Sequence, residues 1–281
     1  MKTTTPNENA VTEAFDRQSV LFDALYDHNT IVRYKRSVVR ERLLQSLPPH
    51  SRVLELNAGT GEDALFLARQ GHRVHATDIS QGMQKVLAKK AAQSGLQDHI
   101  TQECCSFSCL DQLKDKGPYD LIFSNFAGLN CTGELEKVLA SFPPLLKPHG
   151  RVVMVLLPGF CLWEFLLLFR GKWKTATRRL WNRKGTTAHV EGVLFKCWYY
   201  RPSRVRHLMK HAFQERSTEG LCTLVPPSYL EGFAEKYPRL YHFLKRQESL
   251  KRARWPWRGI GDYVIFSFEK KDRSGSASCK G

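Results

Sequence analysis

The chain has 281 residues, 42% of them hydrophobic, with a formal net charge of +16 and a pI near 9.6. That length suits one enlarged domain or a domain plus a small cap, and the hydrophobic share excludes a disordered chain. No apolar run approaches the ~18–20 residues of a membrane span, the opening MKTTTPNENA has no apolar core behind it, and the eight cysteines show neither CxxC nor zinc-spaced Cys/His pairs. The expectation is a cytoplasmic protein with reduced thiols.

In chain order, 11–47 reads as helical, with Phe15, Phe22, Leu25, Tyr26, Val38, Val39, Leu43 and Leu44 on an apolar face, and it stops at Pro48-Pro49. Ser51 to Ser80 organises everything after it. Val53-Leu54-Glu55-Leu56 predicts a strand, Asn57-Ala58-Gly59-Thr60-Gly61 a tight turn, and Ala64, Leu65, Leu67 and Ala68 a helix. Arg73 to Thr77 is a second strand that ends on Asp78. Gly59 and Gly61 let the backbone approach a ligand with no Cβ in the way, and the helix starting near Glu62 offers unpaired N–H groups. An acid where Asp78 stands can accept hydrogen bonds from both hydroxyls of a ribose. Glu55, at the end of the first strand, repels a phosphate and attracts a cation. The unit therefore predicts a ligand with a ribose and a positive centre but no phosphate.

Further on, Ser80 caps a helix to about Gln93 with Met83 and Val86 inward. Ile100 to Cys104 is a third strand whose following loop edges the same pocket. Asp120 to Asn125 is a continuous apolar run suited to a strand covered on both faces, leaving Asn125 and Phe126 at its carboxyl end, where ligands of open parallel sheets sit. Gly150 to Leu157 is a fifth strand. The PGFCLWEFLLLFRGKWKTATRRLWNRK that follows exceeds what a sheet connection needs. Its first part, Cys161 to Phe169, is apolar nearly all round; the second is basic, with Trp173 and Trp181. It is expected to build the acceptor pocket or its lid, or else to be a cap buried against its own domain. His189 to Tyr200 looks extended, Ser203 to Phe213 helical, Gln214 to Leu224 a strand, the region after Pro226-Pro227 helical, and Asp262 to Glu269 the last strand, with a polar tail expected to be disordered.

Glu55-Leu56-Asn57-Ala58-Gly59-Thr60-Gly61 resembles the first motif (acid-x-G-x-G-x-G) of the class I S-adenosylmethionine-dependent methyltransferases, with Asp78 as their ribose-binding acid. Tyr119 to Phe126 resembles their fourth strand, and Leu145 to Met154 the L-K-P-x-G entry to their fifth. FDRQSVLFDALYD is similar to the N-terminal segment that many small-molecule members fold over the cofactor, which makes Tyr26 and Arg33 candidate lid contacts. SNFAGLNC followed by LLPGFCLWE also resembles a bacterial group. Two positions depart from the pattern: Asn57 replaces the first glycine, and the third-strand acid that often contacts the adenine is missing from 102–107.

The resemblance implies an α/β fold, a Rossmann-like seven-stranded sheet that is mostly parallel with an antiparallel last strand, flanked by helices and carrying a helical cap after the fifth strand. It divides the chain into a lid (1–50), a cofactor core (51–157), an acceptor-side cap (158–200), the rest of the sheet (201–269) and a tail (270–281). S-adenosylmethionine is the implied cofactor and S-adenosylhomocysteine the product, with no metal. The implied cofactor contacts are Glu55, Asn57, Ala58, Gly59, Gly61, Asp78, Ile79, Met83, Cys105, Ser106, Asn125 and Phe126.

The expected reaction is direct methyl transfer to a small, hydrophobic or lipid-like acceptor. Amino-methylating nucleic-acid enzymes carry (Asp/Asn)-Pro-Pro-aromatic where this chain has Ser124-Asn125-Phe126-Ala127, which disfavours base N-methylation. The rival readings are an RNA methyltransferase and a non-catalytic cofactor-binding regulator. The span 165–184 holds seven basic residues and no acid, and 236–258 is a second basic stretch; both are interleaved with aromatics. Such stretches fit a solvated face best, then an anionic membrane surface at the inner face of the membrane, and a nucleic acid least well. Were the acceptor a hydroxyl, His189, Tyr199 and His207 are the candidates to take its proton.

Overall fold

The computed structural model describes residues 5–180, 184–230 and 232–272. Three N-terminal helices, α1 (Pro6–Gln18), α2 (Phe22–Tyr26) and α3 (Thr30–Ser46), lead into β1 (Arg52–Leu56), α4 (Glu62–Arg69), β2 (Arg73–Asp78), α5 (Gln81–Gln93) and β3 (Ile100–Cys104). β4 (Tyr119–Ser124), α6 (Leu135–Ala140) and β5 (Leu146–Leu156) follow. After β5 come α7 (Leu162–Leu166), α8 (Trp173–Thr177), a hairpin of β6 (Thr186–Val190) and β7 (Val193–Cys197), and α9 (Pro202–Met209). β8 (Phe213–Leu221), α10 (Phe233–Lys236), α11 (Pro238–Lys251) and β9 (Tyr263–Lys270) end the chain.

Seven strands form one sheet in the order β3-β2-β1-β4-β5-β9-β8. The first five are parallel, and β9 runs antiparallel to both its neighbours. The central strands carry apolar side chains on both faces because both are covered: Val53, Leu121, Phe123, Val153 and Ile265 join one core, and Leu54, Leu56, Ile122, Met154 and Phe266 the other. Strand order reverses between β1 and β4. Their carboxyl ends therefore diverge into a crevice, the general ligand position of open parallel sheets.

The N-terminal region departs from one long helix. Thr5 starts α1 with a capping box closed by Glu8, and the Asn29 side chain accepts from Ile31 N and Val32 N to start α3 afresh. With breaks on either side of α2, α1 and α2 fold back over the sheet while α3 packs beneath it through Val38, Val39 and Leu43.

The segment after β5 is half helical and half β. Leu162 N donates to Ile260 O, and the buried Glu164 pairs with Arg178 and Arg179, the latter also reaching Asp262. The β6–β7 hairpin packs Val193 and Phe195 against Val11 and Ala14 of α1, so it braces the N-terminal helix. Residue 270, expected in the tail, belongs to β9. Lys270 pairs with Phe213 at the end of β9, and its ammonium donates to the carbonyls of Pro143 and Leu146, both at 2.7 Å. Residues 273–281 lie outside the described residues.

Candidate functional site

A cavity occupies the crevice beyond the carboxyl ends of β1, β2 and β4. Eleven of the twelve cofactor contacts expected from the sequence line it: Glu55, Asn57, Ala58, Gly59, Asp78, Ile79, Met83, Cys105, Ser106, Asn125 and Phe126. Gly61 does not. It caps α4 at φ +81°, and a Cβ there would stand 2.0 Å from Leu87 Cδ1, so its task is to let α4 and α5 close up behind the turn.

The turn shows why asparagine serves in place of the first glycine. Asn57 adopts φ 49°, donates from Nδ2 to the Asn125 carbonyl at 2.9 Å and accepts from Ser124 Oγ at 2.6 Å. The side chain thus ties the end of β1 to the end of β4, in space left by Gly128. Beyond it, Phe126 and Ala127 are also left-handed, at 42° and 68°, which turns the Phe126 ring toward the cavity.

Carboxylates dominate the polar lining. Asp78 accepts from Gly59 N and Ser80 N, both at 2.9 Å and each on a different oxygen, and lines the cavity. Burial raises its pKa. Asp63 accepts from Arg40 Nε at 2.8 Å and Asn125 Nδ2 at 2.6 Å. Burial also raises the Glu62 carboxyl, but Lys90 and Arg36 more than offset that and hold it below the usual range. Glu55 is different. It is buried, its Oε2 has no hydrogen-bond partner, and burial together with the charge on Asp63 pushes its pKa well up. Such a lining accepts hydroxyl donors and a cation, and repels a phosphate. Between the acids the walls are apolar: Val11, Phe15, Phe22, Met83, Phe107 and Phe126.

The roof was only partly legible. Tyr26 and Arg33, the expected lid contacts, do not line the cavity: Tyr26 packs its ring at a tilt against Phe22, with centroids 4.9 Å apart, and Arg33 turns outward to Thr30 Oγ1. Val11, Phe15 and Phe22 cover it, with Arg36 one helical turn along α3. Three acids latch this roof to three loops. Glu8 Oε1 accepts from Ser106 Oγ at 2.5 Å, Asp16 Oδ1 from Ser80 Oγ at 2.5 Å and Gly82 N at 2.8 Å, and Asp23 from Thr60 Oγ1 at 2.6 Å and Lys90 Nζ at 2.8 Å. Glu8 of α1 thus places a carboxylate against the loop after β3, without itself lining the cavity. The signal in the sequence was a run of acids in the N-terminal helices of a basic chain.

Two further expectations fail. No described residue of 158–200 lines the cavity, and Cys161 to Phe169 builds neither this cavity nor its roof. His189 and His207 are exposed on β6 and α9, and Tyr199 lies against the Arg179 guanidinium at 5.1 Å; none of the three lines the cavity. Among the described lining residues there is no histidine, lysine or tyrosine.

Residues 53–150 match the methyltransferase domain family, and the strand order and the glycine turn are those that the resemblance to class I S-adenosylmethionine-dependent methyltransferases implies. Among curated proteins, the chain is 34% identical to an S-adenosyl-L-methionine-dependent Diels-Alderase of Talaromyces variabilis, over 39% of this chain and 37% of that one. It is 29% identical to a demethylmenaquinone methyltransferase of Clavibacter sepedonicus, over 51% of this chain and 54% of that one. The chain thus spans about half or less of the length of these two relatives. Among solved structures, geranyl diphosphate C-methyltransferase from Streptomyces coelicolor A3(2) shares the fold at a TM-score of 0.61, with 14% identity, covering 95% of this chain and 99% of that one.

Proposed function

We propose that the protein is an S-adenosylmethionine-dependent methyltransferase acting on a small hydrophobic acceptor. The observation that carries the reading is the orphaned, buried Glu55 Oε2 in one cavity with Asp78, the carboxylate at the end of β2 that the Gly59 turn faces. Bound there, S-adenosylmethionine would supply an electrophilic methyl group. Asp78 accepts from the ribose hydroxyls, the Gly59 turn lets the backbone approach, and Glu55 with Asp63 attracts the positive charge. Cys105, Ser106, Ile79 and Met83 edge the adenine, and Asn125 and Phe126 flank the acceptor side. The apolar roof excludes water from the reacting pair, and much of the rate then comes from positioning and desolvation.

The acceptor class follows from what the walls offer. A latched apolar roof suits a compact greasy molecule, and four carboxylates repel RNA phosphates. With no histidine, lysine or tyrosine in the described lining, the acceptor brings its own nucleophile, such as an enolate carbon, a phenolate or an amine. The demethylmenaquinone methyltransferase relative is in keeping with this class.

The same absence of a neutral base favours a second reading, in which the cofactor is held without transfer and the cavity orders a cycloaddition, as the name of the Talaromyces relative describes for that protein. Release of S-adenosylhomocysteine in step with acceptor consumption separates the two. Cofactor binding is tested by calorimetry with S-adenosylhomocysteine. Each hydrogen bond to a charged group contributes about 1.5–3 kcal/mol, so Asp78→Ala is expected to bind at least about 100-fold more weakly. Unchanged affinity removes the assignment.

A further inference from the structure

We propose that the face formed by residues 163–174, 229–230 and 232–240 docks the protein on an anionic lipid bilayer. Trp163, Leu166 and Leu167 line an open cavity of about 560 Å³ together with Tyr229, Leu230, Phe233, Lys236 and Tyr237, so the two segments share one surface. Beside that cavity the chain turns sharply: Gly171 sits at φ +71°, and Lys172 N returns to Leu167 O at 3.1 Å. The turn leaves Phe169 84% exposed, Trp173 66% and Leu166 41%, while Tyr229, Tyr237 and Leu240 are exposed across the cavity.

Charge identifies the occupant. Lys172, Lys174, Lys236 and Arg239 are all exposed among these apolar side chains. The described acids of the two segments are engaged elsewhere, Glu164 buried against Arg178 and Arg179, and Glu235 accepting from Thr30 Oγ1 at 2.5 Å. Apolar and aromatic tips rimmed by lysines are the composition that settles at the boundary of lipid headgroups and acyl chains. Nucleic acid would use the cations and the aromatic rings but gains nothing from Leu166 and Leu240. The surface lies apart from the cofactor cavity, with which it shares no lining residue, and the proposal stands whether or not a methyl group is transferred.

The test is co-sedimentation of the full chain with vesicles of equal parts phosphatidylglycerol and phosphatidylcholine, against vesicles of phosphatidylcholine alone, near physiological salt. Anionic vesicles are expected to capture the protein at least about tenfold better than neutral ones, since each lysine near an anionic surface adds about fivefold. Lys172→Gln with Lys174→Gln is expected to lower partitioning about 25-fold by the same arithmetic. Phe169→Ser with Trp173→Ser lowers it at least about tenfold, with an unchanged melting temperature as the check on folding. No capture by anionic vesicles overturns the proposal, as does a correctly folded Phe169/Trp173 variant that binds like the wild type. Displacement of the vesicles by single-stranded RNA that depends on Phe169 and Trp173 assigns the face to nucleic acid and overturns it too.

Discussion

Replacing Asn57 by the family's usual glycine is expected to destabilise the protein. Asn57 makes two hydrogen bonds, to the Asn125 carbonyl and from Ser124 Oγ, and Ser124 is fully buried. Two bonds are worth about 1 kcal/mol each, and an orphaned buried hydroxyl costs about 1–3 kcal/mol. Glycine recovers about 1 kcal/mol of left-handed backbone cost. The balance leaves Asn57→Gly about 2–4 kcal/mol less stable. The partner across the crevice sharpens the test. A Cβ on Gly128 would stand 2.1 Å from Asn57 Cγ, so Gly128→Ala in the wild type overpacks the turn by about 1–3 kcal/mol. In the Asn57→Gly background the same methyl enters vacated space and costs close to nothing. Urea denaturation of the two single variants and the double variant is then expected to show coupling of about 2 kcal/mol. Additivity within about 0.5 kcal/mol would refute the claim that Asn57 joins β1 to β4 in Gly128's space.

Three further outcomes follow from particular contacts. Because the folded Glu55 pKa is raised, its contribution to stability is present at low pH and lost as pH rises, so Glu55→Gln is expected to melt above the wild type in mildly alkaline buffer and to lose that advantage on acidification. A cation in the cavity favours the Glu55 carboxylate, so cofactor binding should also release protons, read as a dependence of binding enthalpy on buffer ionisation; parallel melting curves with no proton release would sink this. Asp16→Ala and Asp23→Ala each remove a charge-assisted latch, and stopped-flow release of S-adenosylhomocysteine is expected to quicken about tenfold for each with little change in melting temperature; an unchanged release rate would mean the roof is held by α1 packing alone. The buried Glu248 carboxylate accepts from the backbone N–H groups of Cys222, Thr223, Leu224 and Val225 and from the Tyr34 hydroxyl, so Glu248→Ala is expected to lose at least about 3 kcal/mol by urea denaturation.

The sheet and the floor of the cavity were legible because they are local. β1, the glycine turn, α4 and β2 are written within thirty consecutive residues, and a parallel strand at a switch point dictates where Glu55, Asp78, Asn125 and Phe126 end up. The roof was not, because its contacts span long separations: Glu8 meets Ser106, Asp16 meets Ser80, and Asn7 joins the β7 hairpin through Lys196. Helical periodicity gave α1 to α3 an apolar face but not the breaks at 19–21 and 27–29 that aim Phe15 and Phe22 inward in place of Tyr26. The nearly all-apolar text of Cys161 to Phe169 suggested a pocket wall. In the fold its anchor is the polar group Glu164, held by Arg178 and Arg179, and much of its apolar surface faces outward.

Methyl transfer itself is tested most directly by incubating the purified protein with methyl-labelled S-adenosylmethionine and a fractionated cell extract, alongside Asp78→Ala. The expected result is label in the organic-soluble or small-molecule fraction, S-adenosylhomocysteine in equal amount, and neither with the variant. Label confined to RNA, or acceptor turnover with no S-adenosylhomocysteine, would contradict a methyltransferase for small hydrophobic acceptors.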